Sequence, residues 1–470
     1  MEDEKFDCIV VGGGIAGLGA ALTLARNNMK FLLIERGEYS GAKNVSGGVL
    51  WGTQLSELVP DYWEDTDAGI ERYIKHRRLS FLDEQSAFSI DFKSEHFEEK
   101  PYKGVIVLRS RFDQWLADKV QEAVMQSDYA EESFVANDIL VEEILKENGR
   151  VVGIRSGEEK FYANCVILAE GVNNLLTRQI GLQDEYVPAD YVATGIKEII
   201  KFDQKTLEDR FQLDGLSGMS NEFIGLGATC GVEGGGFLYT NKDSISLGLV
   251  LGMKDLREKG GNPDIRKAVD RRTTSGDTTP DSDKVKPLKI YDILAAFKSH
   301  PAVRDMIKGG EVVEYSGHVV STGDMRIMPR EIYDDGVMVA GEAANLLMNS
   351  GKAIQGMDYA MASGVLAAKT AVAAKKKNDF GKATLKTYRD TLEDSYVMKD
   401  LRGFQNAVHF LHQPAMFSKV PNIACDFGRQ FFTIDNKPTT KTKDMLKGAV
   451  KRHSSFWELL KIGFKGYKSL

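Results

Sequence analysis

Cysteine is scarce in this 470-residue chain. Its four cysteines, Cys8, Cys165, Cys230 and Cys425, stand far apart with no C-x-x-C pair. That spacing excludes a four-thiolate iron–sulfur centre or a structural zinc within the chain. Each reads as a small apolar residue of a reducing compartment. Long apolar runs are also missing: no stretch of 18 exists, so no transmembrane helix is expected. The acidic N-terminus runs straight into an apolar strand, which does not fit a secretory signal. The seven histidines show neither H-x-x-x-H nor triad spacing, so no catalytic residue and no metal ligand is assigned. Positive charge is in deficit, 61 Lys and Arg against 68 Asp and Glu, a net of −7, which argues against nucleic acid as a partner. What remains, 42% apolar and 27% charged over a length that accommodates two or three domains, is an ordinary globular protein.

The most informative stretch lies at residues 6–36. The short apolar run before Gly12 has the mark of a buried parallel strand. Gly12, Gly14 and Gly17 then give the G-x-G-x-x-G spacing, followed by a helical pattern and a second apolar strand ending at Glu35. Gly12 permits the tight turn, Gly14 lets a pyrophosphate approach the backbone, and Gly17 lets helix pack on strand. The helix N-terminus offers free N–H groups and a positive dipole end. Glu35, 21 residues after Gly14, is placed to take the ribose hydroxyls of an adenosine, and an acid there disfavours a 2′-phosphate. The pattern predicts an ADP-containing cofactor and leaves FAD and NAD both open.

Further along, the glycine-rich run 43–52 reads as a loop beside the cofactor. A strand over 105–109 precedes an amphipathic helix with Phe112, Trp115, Leu116 and Val120 on its apolar side. Residues 138–170 read as a meander around the hairpin signal Asn148-Gly149, with a last strand that stops at Glu170 and Gly171. Between 186 and 324, glycine turns at 225–227 and 234–236 punctuate β-type segments, and 255–287 is polar and flexible. A buried strand then enters Gly341-Glu342-Ala343-Ala344, and a loop over 346–352 leads to a long helix of small residues expected to start near Ile354, its N-terminus aimed at a ligand. The predicted fold is α/β: a Rossmann-like cofactor domain in three pieces (1–75, 101–185 and 325–375), an inserted, mainly antiparallel β domain for substrate (76–100 and 186–324), and a helical region over 376–470. Residues 437–470 hold nine Lys and Arg against two acids, +7, leaving −14 for the rest. Residues 456–470 form a basic amphipathic segment, with Phe456, Leu459, Leu460, Phe464, Tyr467 and Leu470 on one half, Lys461, Lys465 and Lys468 on the other, and Ile462 out of place. It suits a membrane interface, a partner helix or the chain's own core equally.

Four segments in order, the N-terminal glycine motif, Arg109 with Phe112-Asp113-x-Trp115, the Glu170-Gly171 turn and the Gly341–Ala344 turn, resemble the flavoprotein fold of p-hydroxybenzoate-hydroxylase-type enzymes and geranylgeranyl reductases. Within that fold, three runs resemble the family of FixC and electron-transfer-flavoprotein:quinone oxidoreductase nearly end to end. They are K-N-V-S-G-G at 43–48, N-S-G-K-A-I-Q-G-M-D-Y-A-M-A-S-G at 349–364, and C-D-F with F-T-I-D-N-K-P between 425 and 438.

The resemblance implies non-covalent FAD. Gly12, Gly14, Gly17, Glu35 and Arg109 would bind its ADP half, with Ile15, Ala16 and Arg36 beside them. Glu342, after Gly341, would take the ribityl chain. Asn44, Ser46, Gly47 and Gly48, together with Gly171, Gly351, Ala353 and Ile354, complete the implied cofactor site. Glu342 and Glu170 stand where the family more often has aspartate. The single-chain quinone oxidoreductases carry a C-terminal iron–sulfur domain, for which this chain has no cysteines. The implied partners are therefore electron-transfer flavoprotein subunits, a separate ferredoxin-like iron–sulfur subunit and a quinone. The implied place is the cytoplasmic face of the inner membrane, as a peripheral protein. The expected role is electron transfer to quinone within a bifurcating complex. A prenyl-lipid reductase of geranylgeranyl type is the alternative, followed by an NADPH-dependent flavin hydroxylase and a FAD-stabilised scaffold.

Overall fold

A computed structural model of the chain describes residues 5–44, 48–259, 269–270, 288–351 and 354–470. The chain divides into two units. The first comprises Met1–Glu71, Lys100–Val187 and Ser321–Gln405, the second Arg72–Glu99, Pro188–Val320 and Asn406–Leu470. The helices after residue 376 do not stand apart: those up to Gln405 group with the first unit and those from Asn406 with the second.

The first unit is built on a sheet ordered Tyr333–Asp334, Val337–Val339, Glu159–Leu168, Lys5–Val11, Phe31–Ile34, Phe134–Ala136. From Val337–Val339 to Phe134–Ala136 all neighbours are parallel. Ile9, Val10, Leu33, Val166 and Ile167 are fully or almost fully buried, as strands covered on both faces must be. The meander is present: Glu143–Glu147 and Arg150–Ser156 flank Asn148 (φ 50°) and Gly149 (φ 86°), the two positive φ values of a type I′ turn. The helix Arg109–Met125 buries Phe112, Trp115, Leu116 and Val120.

Three expected loops or turns are strands. Gly48–Trp51, within the expected 43–52 loop, pairs antiparallel with Gly104–Val107. Met348–Asn349 pairs with Ile354–Gln355, so the long helix begins at Met357, after Gly356, and not at Ile354. Gly234–Gly236 lie inside the strand Gly234–Thr240. A Cβ on Gly236 would stand 2.7 Å from Phe297 Cζ, so glycine there makes room for a core ring.

The second unit is a mainly antiparallel sheet, ordered Glu311–Ser321, Val192–Lys201, Ser244–Gly252, Gly234–Thr240, Ser217–Ile224, Ile70–Leu82, with Ala87–Lys93 on the last. Ser217–Ile224 pairs in parallel with Ile70–Leu82. One face packs Phe223, Leu238, Leu247, Leu249 and Leu251 against Ile293, Leu294 and Phe297 of the helix Ile290–Ser299. The Phe223 and Phe297 rings meet edge to face at 5.1 Å. Much of the polar stretch 255–287 lies outside the described residues. Its first part belongs to the helix Met253–Lys259.

Candidate functional site

The glycine turn behaves as its spacing predicts. Gly12 has φ +107°, and a Cβ there would lie 2.4 Å from the Ala169 carbonyl oxygen. A Cβ on Gly17 would lie 1.9 Å from the Gly12 carbonyl oxygen. Only glycine fits at either position. The helix Ile15–Arg26 starts at Gly14 with no side-chain cap, so its first N–H groups are available to an anion.

Glu35 is buried at the end of its strand. Its Oε2 accepts from Gly13 N and its Oε1 from Gly37 N, both at 2.7 Å. A carboxylate has about four acceptor positions, so two remain for ribose hydroxyls. Arg36, next in the chain, is exposed. Ile15 and Ala16 are buried in the first turn of the helix.

Over the turn sits a clamp. The space a Gly14 Cβ would occupy is 3.5 Å from Arg109 Nη2 and 3.8 Å from Asn44 Nδ2. Both side chains are held by Asp113, fully buried one helical turn after Arg109. Arg109 Nε and Nη2 donate to its two oxygens at 2.8 and 2.7 Å, and Asn44 Nδ2 donates to Oδ2 at 2.7 Å. The i,i+4 spacing of Arg109 and Asp113 was readable in the sequence. Its purpose, a guanidinium fixed above a glycine turn, was not.

The third segment reaches the same turn through small residues. A Cβ on Gly341 (φ +68°) would lie 2.9 Å from Ala16 Cβ, and one on Gly364 would lie 2.0 Å from the Ala16 carbonyl oxygen. Thus the long helix Met357–Lys377 crosses the turn helix at van der Waals distance. Glu342 Oε1 accepts from Ser321 N at 3.4 Å. The Ser321 hydroxyl bonds Asn345 Oδ1, and Asn345 Nδ2 donates to the Asp324 carbonyl at 2.8 Å. Gly351 (φ +77°) turns the small hairpin, its N–H donating to Asn349 Oδ1 at 3.0 Å. Ile354 is half exposed, and Gly48 packs toward Met357. Gly171 (φ +77°) faces open space. Its neighbour Glu170 instead accepts from Leu176 N and Thr177 N at 2.9 and 2.7 Å, capping a short helix. Ser46, Gly47 and Ala353 lie outside the described residues.

At the start of the long helix, Asp358 is buried. Burial pushes its carboxyl up to about 6, against the pull of Gln355 Nε2 at 3.0 Å. Tyr359 is fully buried and donates to Asp400 Oδ2 at 2.9 Å. Sequence reading had assigned neither.

Comparisons with known proteins agree with this geometry. Residues 7–131 match the family model for FAD dependent oxidoreductases, and 407–470 the C-terminal domain of the ETF-QO/FixC family. The chain is similar to Protein FixC of Escherichia coli K12, 39% identical over 469 residues and 99% of both chains. It is 34% identical to Protein FixC of Azorhizobium caulinodans over 97% of both. A third relative, from E. coli K12, is a "Probable electron transfer flavoprotein-quinone oxidoreductase", 37% identical over the whole of both chains. Among solved structures, a geranylgeranyl bacteriochlorophyll reductase-like protein of Thermoplasma acidophilum superposes with a TM-score of 0.66, covering 97% of this chain and 98% of its own at 20% identity. That identity supports the fold alone.

Proposed function

The chain belongs to the ETF-QO/FixC family of FAD-dependent flavoprotein oxidoreductases, and from that premise we propose that it takes electrons from a partner electron-transfer flavoprotein, through a ferredoxin-like subunit, and passes them to a membrane quinone within a FixABCX-type bifurcating complex. Bound FAD supplies a two-electron store. In this reading the glycine turn and the Arg109–Asn44 clamp hold the pyrophosphate, and Glu35 the adenosine ribose. Gly341 and Glu342 meet the ribityl chain, with Gly171 leaving room beside it. The hairpin around Gly351 lies against the ring. The uncapped start of the long helix at Gly356 favours negative charge on it.

The observation that carries the reading is full-length kinship to FixC combined with the cysteine arrangement. Cys8 and Cys165 are cross-strand neighbours, and all four cysteines are buried and outside any disulfide. Iron–sulfur clusters would then come from another chain. The test is an anaerobic visible spectrum of the purified holoprotein. Flavin that stays oxidised with NADH or NADPH, is reduced by the reduced partner flavoprotein with its ferredoxin-like subunit, and is reoxidised by a quinone supports the proposal. Prompt bleaching by either nucleotide alone refutes it in favour of a reductase or hydroxylase.

Membrane attachment belongs to the same reading. No described helix is long and apolar enough to span a bilayer. The C-terminal helix Phe456–Ser469 turns Ile462 and Gly466 inward, where a Gly466 Cβ would stand 2.9 Å from the Phe410 ring. Ile462 is therefore in place, and the solvent side carries Trp457, Leu460, Phe464 and Tyr467. Lys461, Lys465 and Lys468 run alongside, also exposed. An aromatic stripe with flanking lysines suits the interface of an anionic bilayer.

A further inference from the structure

Within the first unit, two helices and a short connecting segment meet around a cavity of about 260 Å³. Sequence spacing brings the lining side chains together. Arg389, Leu392 and Glu393 lie three and four positions apart on the helix Lys382–Asp394, and Met398 and Arg402 four apart on the helix Tyr396–Gly403. Each set therefore shares one helical face. Met325 opens the 3₁₀ turn Met325–Ile327, Met328 follows it, and Pro329 and Ile332 complete the wall. None of these residues belongs to the cofactor site described above.

The interior is apolar and adaptable. Ile332, Leu392 and Met398 are buried. Met325, Met328 and Met398 contribute unbranched thioethers, which adjust to an occupant and make favourable contacts with aromatic rings. An apolar cavity of about 150 Å³ takes benzene, so this one has room for such a ring and a short chain.

The mouth is charged. Arg402 is the exposed member of the lining. It donates to Glu393 from Nε at 3.0 Å and from Nη2 at 2.6 and 2.7 Å. Arg389 donates from Nε to the same carboxylate at 3.4 Å and from Nη1 to Glu331 at 3.0 Å. Arg389 Nη2 and Arg402 Nη1 make no hydrogen bond among the described residues. A guanidinium presents its donors in a planar fork that matches a carboxylate. Two guanidiniums with donors to spare, above an apolar cavity large enough for a ring, select a small acid with an apolar body.

We propose that this cavity binds an aromatic monocarboxylate of the size of 3-phenylpropanoate. The ring lies among Met325, Met328 and Met398, and the carboxylate accepts from Arg389 Nη2 and Arg402 Nη1. Glu393 is the anion with which the ligand shares these cations.

The test uses FAD-loaded protein carrying carbon-13 in its methionine methyl groups, titrated with 3-phenylpropanoate to about 5 mM and followed by NMR. Single Met→Leu variants assign the resonances. The methyls of Met325, Met328 and Met398 should shift together and saturate. The neutral 3-phenylpropan-1-ol should bind at least tenfold more weakly. Arg402→Met should weaken binding of the acid at least tenfold and leave the alcohol within twofold. Glu393→Gln, which removes the competing anion, should tighten the acid at least threefold. Both side chains reach solvent, at 56% and 26% exposure. Should either variant fail to fold, Met325→Trp, which fills the cavity from a half-buried position, should abolish the shifts of Met328 and Met398. No saturable shift of the three methyls, equal binding of acid and alcohol, or wild-type binding of the acid by any of these variants would overturn the inference.

Discussion

Replacing Asp113 by Asn tests whether the clamp over the glycine turn is a binding device. The side chain keeps its size and its Oδ1 acceptor, so the helix Arg109–Met125 should form as before. What changes is the charge under Arg109 and the second acceptor. In the native chain both oxygens are used, by Arg109 at 2.8 and 2.7 Å and by Asn44 at 2.7 Å. An amide can accept at one atom only. Hydrogen bonds to charged groups contribute about 1.5–3 kcal/mol each. Losing one releases Arg109, which is already 18% exposed and can turn to water, so the full penalty of a buried unpaired charge does not apply. If Arg109 and Asn44 meet the pyrophosphate, about 1.5–3 kcal/mol of pre-organisation disappears from FAD binding, or roughly 10- to 150-fold in Kd. The assay is titration of the apoprotein with FAD, followed by flavin fluorescence, for wild type, Asp113→Asn and Arg109→Met. The two variants should weaken together, and the double variant should lose little beyond Arg109→Met alone. An unchanged Kd for Asp113→Asn, with Arg109→Met strongly impaired, would show that Arg109 needs no such holding. Unchanged binding in both would remove the clamp from the cofactor site.

Four further outcomes are expected. Gly364→Ala puts a Cβ 2.0 Å from the Ala16 carbonyl; an overpacking cost of about 1–3 kcal/mol should lower the thermal midpoint and reduce the FAD retained on gel filtration. Arg72 is almost fully buried and donates to the carbonyls of Asn241, Gly215, Ser217 and Lys242 and to Glu208, so Arg72→Met should cost about 3–5 kcal/mol, seen as early loss of near-UV circular dichroism on heating. Asp358, its carboxyl raised to about 6, binds a proton more tightly folded than unfolded; that stability is present below about pH 4 and is lost as pH rises through 6. Asp358→Asn should therefore gain stability relative to wild type between pH 4 and 7, by about 3 kcal/mol at most, and parallel melting curves across that range would refute the assignment. Leu460→Asp with Phe464→Asp, both on the solvent side of the C-terminal helix, should abolish co-sedimentation with anionic phosphatidylglycerol vesicles while leaving flavin content unchanged, and wild-type sedimentation would exclude this helix as the attachment.

What the sequence disclosed was whatever local chemistry determines. Gly12, Gly14, Gly17 and Glu35 were legible because a strand–turn–helix needs those residues at that spacing, whatever surrounds it. The hairpin at Asn148-Gly149 was legible because two positive φ values select those residues. The start of the long helix was misplaced at Ile354 because Ile354-Gln355 before Gly356 and Met357-Asp358 after it suit a helix equally well. Pairing of Met348–Asn349 with Ile354–Gln355 decides the matter, and pairing is tertiary. Gly234–Gly236 looked like a turn because glycine usually marks one, yet they serve a strand on which Phe297 rests. Ile462 looked displaced because it falls on the lysine side of the helical wheel; in the structure it is half-buried, while the larger apolar stripe faces solvent. Arg72 was invisible for a related reason: alternation along a strand says which residues share a face, but not that a charged face will be buried.

The long helix shows why a cofactor segment can look weak as a core element. Its buried positions are largely Ala, Ser, Gly and Thr, which release little free energy on burial compared with Leu or Ile. Their value is distance, since Gly364 and Gly341 let the backbone touch Ala16 at the glycine turn. Residues more than 300 positions apart are thereby held as one wall. Anchorage comes instead from phenols at the helix and its neighbour. Tyr359 reaches Asp400 at 2.9 Å, and Tyr388, also fully buried, donates to the Val339 carbonyl at 2.8 Å. Each phenol brings a large ring into the core and satisfies its hydroxyl there. The close approach of the two helices therefore places the third segment, while these two side chains offset the cohesion that small residues forgo.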